Sequence, residues 1–259
     1  MRRTMIQFEA TKEQHEKIFG FFSKYRGDRP KPDRNLDQFC ATEETVLRRA
    51  VLLGNIPDVS QKQLLFLGDN DLTSVAFSLL FKAKRITVVD IDKRILRFIE
   101  MVSQKEGLPI ETFEHDLRNP LPKLEFKRYD IAFFDPPYTP GALNAWLIRA
   151  IESTITGGPD RKKKKPEALS RKHYILCYGY TDRETERGLK IQQIITSLGL
   201  VIQEKARDFN RYYGAKSIGS KGDLFVLQPT PKVNIRELDI ARSRFYTGQR
   251  QNKQSRERD

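Results

Sequence analysis

The chain has 259 residues, 47 Lys and Arg against 34 Asp and Glu, a formal net charge of +13 and 38% hydrophobic residues. That length accommodates one full α/β domain with short additions, and no apolar run nears the roughly 18 residues of a membrane span, which excludes a membrane partner. Two cysteines, Cys40 and Cys177, and no signal-peptide core after Met1-Arg2-Arg3-Thr4-Met5 imply a reduced, cytoplasmic protein without a disulfide framework or metal site.

Thr11 to Tyr25 spaces Ile18, Phe19, Phe21, Phe22 and Tyr25 as one amphipathic helix, and Arg26 to Asn35, with Pro30 and Pro32, reads as a linker. Residues 1–35 are thus an N-terminal helix and linker. Thr42 is the N-cap of a helix running to about Leu53. The apolar run Leu64–Leu67 stops at Gly68, and helical spacing resumes from Leu72 to Phe81. This is strand, tight turn, helix, with Asp69, Asn70 and Asp71 in the turn. Ile86–Asp90 is a second strand, Lys93–Glu106 a helix, Ile110–Phe113 a third strand and Tyr129–Phe134 a fourth. A helix over 141–153, a strand over Tyr174–Tyr178, a helix over Thr185–Leu198 and closing strands at Leu200–Lys205 and Leu224–Leu227 complete the pattern. Alternation at this spacing predicts an α/β domain over 36–235, a mostly parallel sheet with helices on both faces. Residues 236–259, rich in Arg and Gln, read as a basic, flexible tail.

A basic chain ordinarily signals an anionic partner. Here the excess is local: residues 160–259 carry +11 and the first 159 only +2. The run Arg161-Lys162-Lys163-Lys164-Lys165 reads as a solvated loop before it reads as a nucleic-acid surface.

Four successive strands end in carboxylates: Asp69 with Asp71, Asp90 with Asp92, Asp116, and Asp135. In a parallel sheet all of these reach the carboxyl edge, where ligands bind. Any one of them reads equally well as a helix cap; four in register favour a ligand site. Asp90 is placed to accept the hydroxyls of a ribose and Asp116 to accept from an adenine amine. Asp135-Pro136-Pro137-Tyr138 is a turn stiffened by two prolines, in which Asp135 accepts from an amine and Tyr138 packs beside it. Orienting an amine lone pair at an electrophilic carbon is what N-alkylation needs.

The order of strand ends, closing with Asp-Pro-Pro-Tyr, resembles the class I S-adenosylmethionine-dependent methyltransferase fold and its amine-alkylating branch. A narrower resemblance is to the catalytic domain of the branched-chain polyamine synthases, which make N4-bis(aminopropyl)spermidine. It runs over about 35–230 and rests on Asp37-Gln38 with Thr42 and Glu44-Thr45, Leu67-Gly68-Asp69-Asn70-Asp71-Leu72-Thr73-Ser74, Val89-Asp90-Ile91-Asp92 and Phe98-Ile99-Glu100. It continues through Asp116-Leu117-Arg118 with Pro120-Leu121-Pro122, Asp135-Pro136-Pro137 and Asp208-Phe209-Asn210-Arg211-Tyr212. The resemblance implies a seven-stranded Rossmann-like sheet, decarboxylated S-adenosylmethionine as donor and a polyamine such as spermidine as acceptor. The chain departs from the family's Gly-Asp-Asp-Asp turn at Asn70, and 1–35 is shorter than the winged-helix-like domain that usually precedes the family's catalytic domain.

On this reading Asp69, Asp71, Asp135 and Tyr138 carry catalysis, and Asp37, Gln38, Gly68, Asp90 and Asp116 hold the donor. Pro136, Pro137, Phe209, Asn210 and Tyr212 line the acceptor, with no metal. Glycines in the first turn suit a donor carboxylate, whereas Asp69 and Asp71 would repel it and attract a cationic arm. The rival reading is an S-adenosylmethionine-dependent enzyme methylating an exocyclic base amine of RNA or DNA, with the basic third contacting phosphates. A third is a non-catalytic nucleic-acid-binding module on the same fold, against which the intact Asp90, Asp116 and Asp135 argue. A homodimer is left open.

Overall fold

The computed structural model describes residues 6–122, 128–155, 166–180, 184–215, 219–235 and 245–247. The run Arg161–Lys165 and most of the expected tail lie outside them. The elements in chain order are α1 (Lys12–Lys24), α2 (Glu43–Gly54), β1 (Gln63–Leu67), α3 (Thr73–Leu80), β2 (Arg85–Asp90), α4 (Lys93–Glu106), β3 (Ile110–Glu114) and β4 (Ile131–Phe134). Then come α5 (Pro140–Thr154), α6 (Pro166–Leu169), β5 (His173–Tyr178), α7 (Thr185–Ser197), β6 (Leu200–Arg211) and β7 (Lys221–Pro229). Polar starts are capped as their sequences dictate. Thr11 and Gln14 form a capping box on α1, and the Thr42 hydroxyl accepts from Thr45 N at 3.2 Å on α2.

The strands form one sheet in the order β3-β2-β1-β4-β5-β7-β6, with β7 antiparallel to both neighbours and the other pairings parallel. This is the α/β class I methyltransferase-like arrangement. Strand side chains alternate between two cores. Leu64, Phe66, Val88, Ile131 and Phe133 pack toward α1–α4, while Leu65, Leu67, Val89, Ala132 and Phe134 pack toward α5 and α7. The near-continuous apolar runs of β1 and β4 follow from burial on both faces. Ile18, Phe21 and Phe22 of α1 join the first core, so the N-terminal helix and the sheet share one interior.

The order reverses at β1, which pairs with β2 on one side and β4 on the other. Ligand sites in such sheets open at that switch point, beyond the carboxyl ends. β6 is longer than its sequence pattern predicts, running on from Lys205 to Arg211. Antiparallel to β7, it ends at the same edge as β5, and Tyr212 just beyond it bridges to Ala41 ahead of α2. That extension carries Asn210 and Tyr212 to the switch-point edge.

Candidate active site

The turn after β1 is set by its backbone. Gly68 takes φ +74°, where a side chain is strained, and a Cβ there would lie 3.8 Å from Trp146 Nε1. Trp146 of α5 donates to Leu67 O at 2.8 Å and clamps the strand end. Leu72, at φ 65°, begins α3 without a capping side chain of its own. Asp69 supplies the cap: its carboxylate accepts from Thr73 N at 2.8 Å, Ser74 N at 3.1 Å and Ser74 Oγ at 2.5 Å. Asp69 was expected to face the ligand. Instead it occupies the amides that open the helix, because the residue at the cap position is a leucine. Burial pushes its carboxyl up to about 7, against the three donors that hold it down.

Asp71 turns the other way, accepting from Ala41 N at 2.7 Å and from Arg49 Nη1 at 2.8 Å. Arg49, from the middle of α2, is fully buried and was not anticipated. Its Nε donates to Asn210 Oδ1 at 2.8 Å, and its Nη2 donates to Asp135 Oδ2 at 2.6 Å and Tyr212 OH at 3.0 Å. Burial opposes this charge, and the facing Asp135 and Asp71 carboxylates outweigh it, so the guanidinium stays ionised. Tyr212 OH in turn donates to Asp135 Oδ2 at 2.7 Å. Both bonds to Asp135 fall on one oxygen; Oδ1 receives none among the described residues, and Asp135 lines the adjoining cleft. Burial raises the Asp135 carboxyl to about 6. The Tyr138 ring stands perpendicular to Tyr178, centroids 5.1 Å apart, and to Tyr212 at 6.3 Å. Its buried hydroxyl has no partner among the described residues.

The cleft at the switch point is lined by Asp37, Gln38, Gly68, Asn70, Asp90, Ile91, Asp116, Leu117, Asp135, Pro137, Trp146 and Tyr246, with Leu36 and His115. Four of these are carboxylates, and none of the described lining residues is Lys or Arg. Asp90 is held by Asp69 N at 3.0 Å and Asp92 N at 2.8 Å, one bond to each oxygen, which leaves acceptor capacity on both. Burial raises it to about 6. Asp116 is forked by Arg118, 2.8 Å from Nε and 2.6 Å from Nη2. Burial would raise this carboxyl, and the fork outweighs it and holds it below the ordinary range. Asp116 therefore reaches the cleft already paired, because Arg118 lies two residues on and folds back over it. Tyr246 and its neighbours depart from the flexible tail expected of 236–259. Phe245 packs on Trp146 with centroids 5.2 Å apart, and Thr247 N donates to Asp37 Oδ2 at 2.6 Å.

Other expected contacts are structural. Gln38 lines the cleft, yet both amide ends are committed, Oε1 to Asp33 N at 2.8 Å and Nε2 to Asp92 Oδ2 at 3.0 Å. Asn210 accepts from Arg49 and donates to Asp223 O at 3.0 Å, so it holds the guanidinium and not a substrate. Phe209 was expected as an acceptor wall. It is instead edge-on to Phe8 at 5.1 Å, with Arg48 4.3 Å from its ring, inside the first core. Pro136 is buried, and Pro137 reaches the cleft.

The buried carboxyls predict an inverted pH dependence of stability. Asp69 at about 7 and Asp90 and Asp135 at about 6 keep three protons in the folded chain that an unfolded chain has shed above 3.8. His173, lowered from 6.5 to about 4 by burial, binds one proton fewer when folded. The folded state holds the net excess between pH 4 and 7, so stability falls as pH rises through that window. Thermal melts of the free protein are expected to show a lower midpoint at pH 7 than at pH 5; a higher one would overturn this assignment.

Residues 17–253 match the model of the branched-chain polyamine synthase A C-terminal domain. The chain belongs to this family. It is 36% identical over 195 residues to the N(4)-bis(aminopropyl)spermidine synthase of Thermococcus kodakarensis, covering 74% of this chain and 51% of that protein. To the enzyme of the same name from Methanocaldococcus jannaschii it is 33% identical, with the same coverage, 74% and 51%. The chain thus spans about half the length of the curated relatives it matches. The branched-chain polyamine synthase of Thermus thermophilus, solved with N4-aminopropylspermidine and 5'-methylthioadenosine, superposes with a TM-score of 0.71 at 25% identity, over 87% of this chain and 68% of that one. No helix among the described residues is long and apolar enough to cross a membrane.

Proposed function

We propose that the chain transfers the aminopropyl group of decarboxylated S-adenosylmethionine to an amine of a polyamine such as spermidine, as a step of branched polyamine synthesis. The observation that carries this reading is the cleft at the switch point, walled by four carboxylates, with no Lys or Arg among the described lining residues, and ending at the open oxygen of Asp135. The donor carries a sulfonium and an ammonium, the acceptor several ammoniums, and such a wall attracts both. The names of the relatives and the two molecules bound to the Thermus thermophilus protein support the same reaction, since methylthioadenosine and an aminopropylated polyamine are its products.

In this reading the spare acceptor capacity of Asp90 takes the ribose hydroxyls, while Ile91, Leu117 and Tyr246 flank the base. Asp135 Oδ1 accepts from the acceptor's N–H and aims its lone pair at the carbon bonded to sulfur. The N–C bond forms as the C–S bond breaks, the sulfur keeps the electron pair, and methylthioadenosine leaves neutral. A secondary amine becomes a cationic tertiary ammonium in this step and then releases its proton, to Asp135 or to water. Tyr138 and Tyr212 do not line the cleft; Tyr212 holds the Asp135 carboxylate through its hydroxyl at 2.7 Å.

The test is to incubate the purified chain with decarboxylated S-adenosylmethionine and spermidine and follow both products by mass spectrometry. Methylthioadenosine with an N4-aminopropylated product is expected. Release of neither product overturns the proposal.

A further inference from the structure

A permanent cation inside a site that collects cations demands an account. Arg49 is wholly buried and makes no use of solvent. Four bonds fix it: to Asn210, to Asp71, to Asp135 and to Tyr212. A scaffold pair would need only one carboxylate. Here one guanidinium is shared between Asp71, from the turn after β1, and Asp135, from the end of β4. It therefore spans the two strands on either side of the switch point. Arginine does not lose its proton in proteins, so its charge is constant over the working pH range.

We propose that Arg49 is a positioning residue of the transfer site. Its fixed charge keeps Asp135 ionised with one oxygen free, and disfavours the protonated form of the amine that bonds to that oxygen. This rests on the aminopropyl-transfer reading and explains a step which that reading leaves open. A polyamine amine is protonated near neutrality, and its ammonium form has no lone pair to attack with. A carboxylate alone would stabilise the ammonium form. With Arg49 at 2.6 Å on its other oxygen Asp135 still accepts a hydrogen bond, and Arg49, Asp71 and Asp135 together carry one net negative charge where the two carboxylates alone would carry two. An amine on Oδ1 then lies on the order of 5 Å from the guanidinium, close enough for a like charge to lower its pKa. The other groups facing Arg49 are Asp71, Tyr212 and Cys177, with Tyr138 beside Asp135. Of these only Asp71 is a carboxylate, and it is bonded to the guanidinium. Asp37 and Asp90, which no arginine pairs among the described residues, are left to hold the rest of the substrate's charge, so attraction and deprotonation are divided between different residues.

The experiment is the pH profile of aminopropyl transfer for the wild type, Arg49→Gln and Arg49→Lys, with folding followed by thermal melts. Loss of the charge lets both Asp135 and the acceptor amine hold protons more tightly, so the acid limb of kcat/KM in Arg49→Gln should move up by about one unit or more. Each unit lowers the rate on that limb about tenfold. Arg49→Lys keeps a charge without the fork; its kcat should fall while the acid limb stays near the wild-type position. A limb unmoved in folded Arg49→Gln, or moved equally in both variants, overturns the inference while wild-type turnover leaves the reaction standing. If neither variant folds, Asp71→Asn removes the second carboxylate on the guanidinium, 2.8 Å from Nη1, and leaves more of its charge to Asp135 and the amine, so the acid limb should move down; an unmoved or raised limb overturns the inference. A wild type without transfer removes the reaction and this inference together.

Discussion

Asp135→Asn is expected to lower the single-turnover rate of aminopropyl transfer by about 10²–10⁴-fold, the range spanned by a positioned proton acceptor. The wild-type carboxylate offers one oxygen bound twice and one unbound. Asparagine can present its carbonyl to only one of these neighbourhoods. If the carbonyl faces Arg49 and Tyr212, the amide NH2 faces the cleft and meets the acceptor amine donor to donor. If it is turned round, the NH2 meets the guanidinium, and a buried cation loses a partner. The first orientation is the cheaper, because the carbonyl still accepts from Arg49 and Tyr212, and Arg49 keeps Asp71 at 2.8 Å as well. The variant should therefore fold and still bind donor through Asp90 while failing in the transfer step. The measurement is single-turnover release of methylthioadenosine beside a donor-binding titration. A near-normal rate removes Asp135 from the chemistry; loss of donor binding with the rate among bound complexes preserved places it in binding instead.

The fold was legible because β1 and β4 are apolar on both faces and the helices between strands keep one apolar side. Such patterns survive in sequence as runs and periods. Asp90 and Asp135 were legible for the same reason, as the polar residues that end those runs. What remained hidden depends on where a side chain turns within a tight loop. Asp69 and Asp71 are two residues apart, and one caps a helix while the other meets an arginine. Only the backbone of Gly68 and Leu72 decides which. Arg49 did leave a signal. In α2 it falls on the same face as Thr45, Leu52 and Leu53, all buried, and an arginine on an apolar face requires buried carboxylate partners. The pair Phe245-Tyr246 left another, two adjacent aromatics in an otherwise polar run of sequence; both are buried, Phe245 against Trp146 and Tyr246 against Phe245.

The second large effect expected is a preference for decarboxylated over intact S-adenosylmethionine of about 10²–10³ in Kd. In a glycine-rich turn the first amides of the following helix are open to an anion. Here Asp69 has taken those of Thr73 and Ser74. The amides that would receive a donor carboxylate are thus already occupied by one that belongs to the protein. What the cleft offers instead is Asp37, Asp90, Asp116 and Asp135, of which, among the described residues, only Asp116 and Asp135 are paired to arginines. A second carboxylate brought to about 4 Å from one of these costs roughly 4 kcal/mol at an effective dielectric of 20, or about 10³ in affinity. The repulsion has its own pH signature. Asp90 and Asp135 titrate near 6, so at pH 5 both are largely neutral and the penalty on the intact donor shrinks. Calorimetric titration with each donor at pH 8 and pH 5 reads both effects, with the ratio of affinities expected to fall toward the lower pH. Equal affinities at pH 8 would mean that the intact donor's carboxylate finds a partner away from these four aspartates. The site would then no longer distinguish aminopropyl from methyl transfer by charge.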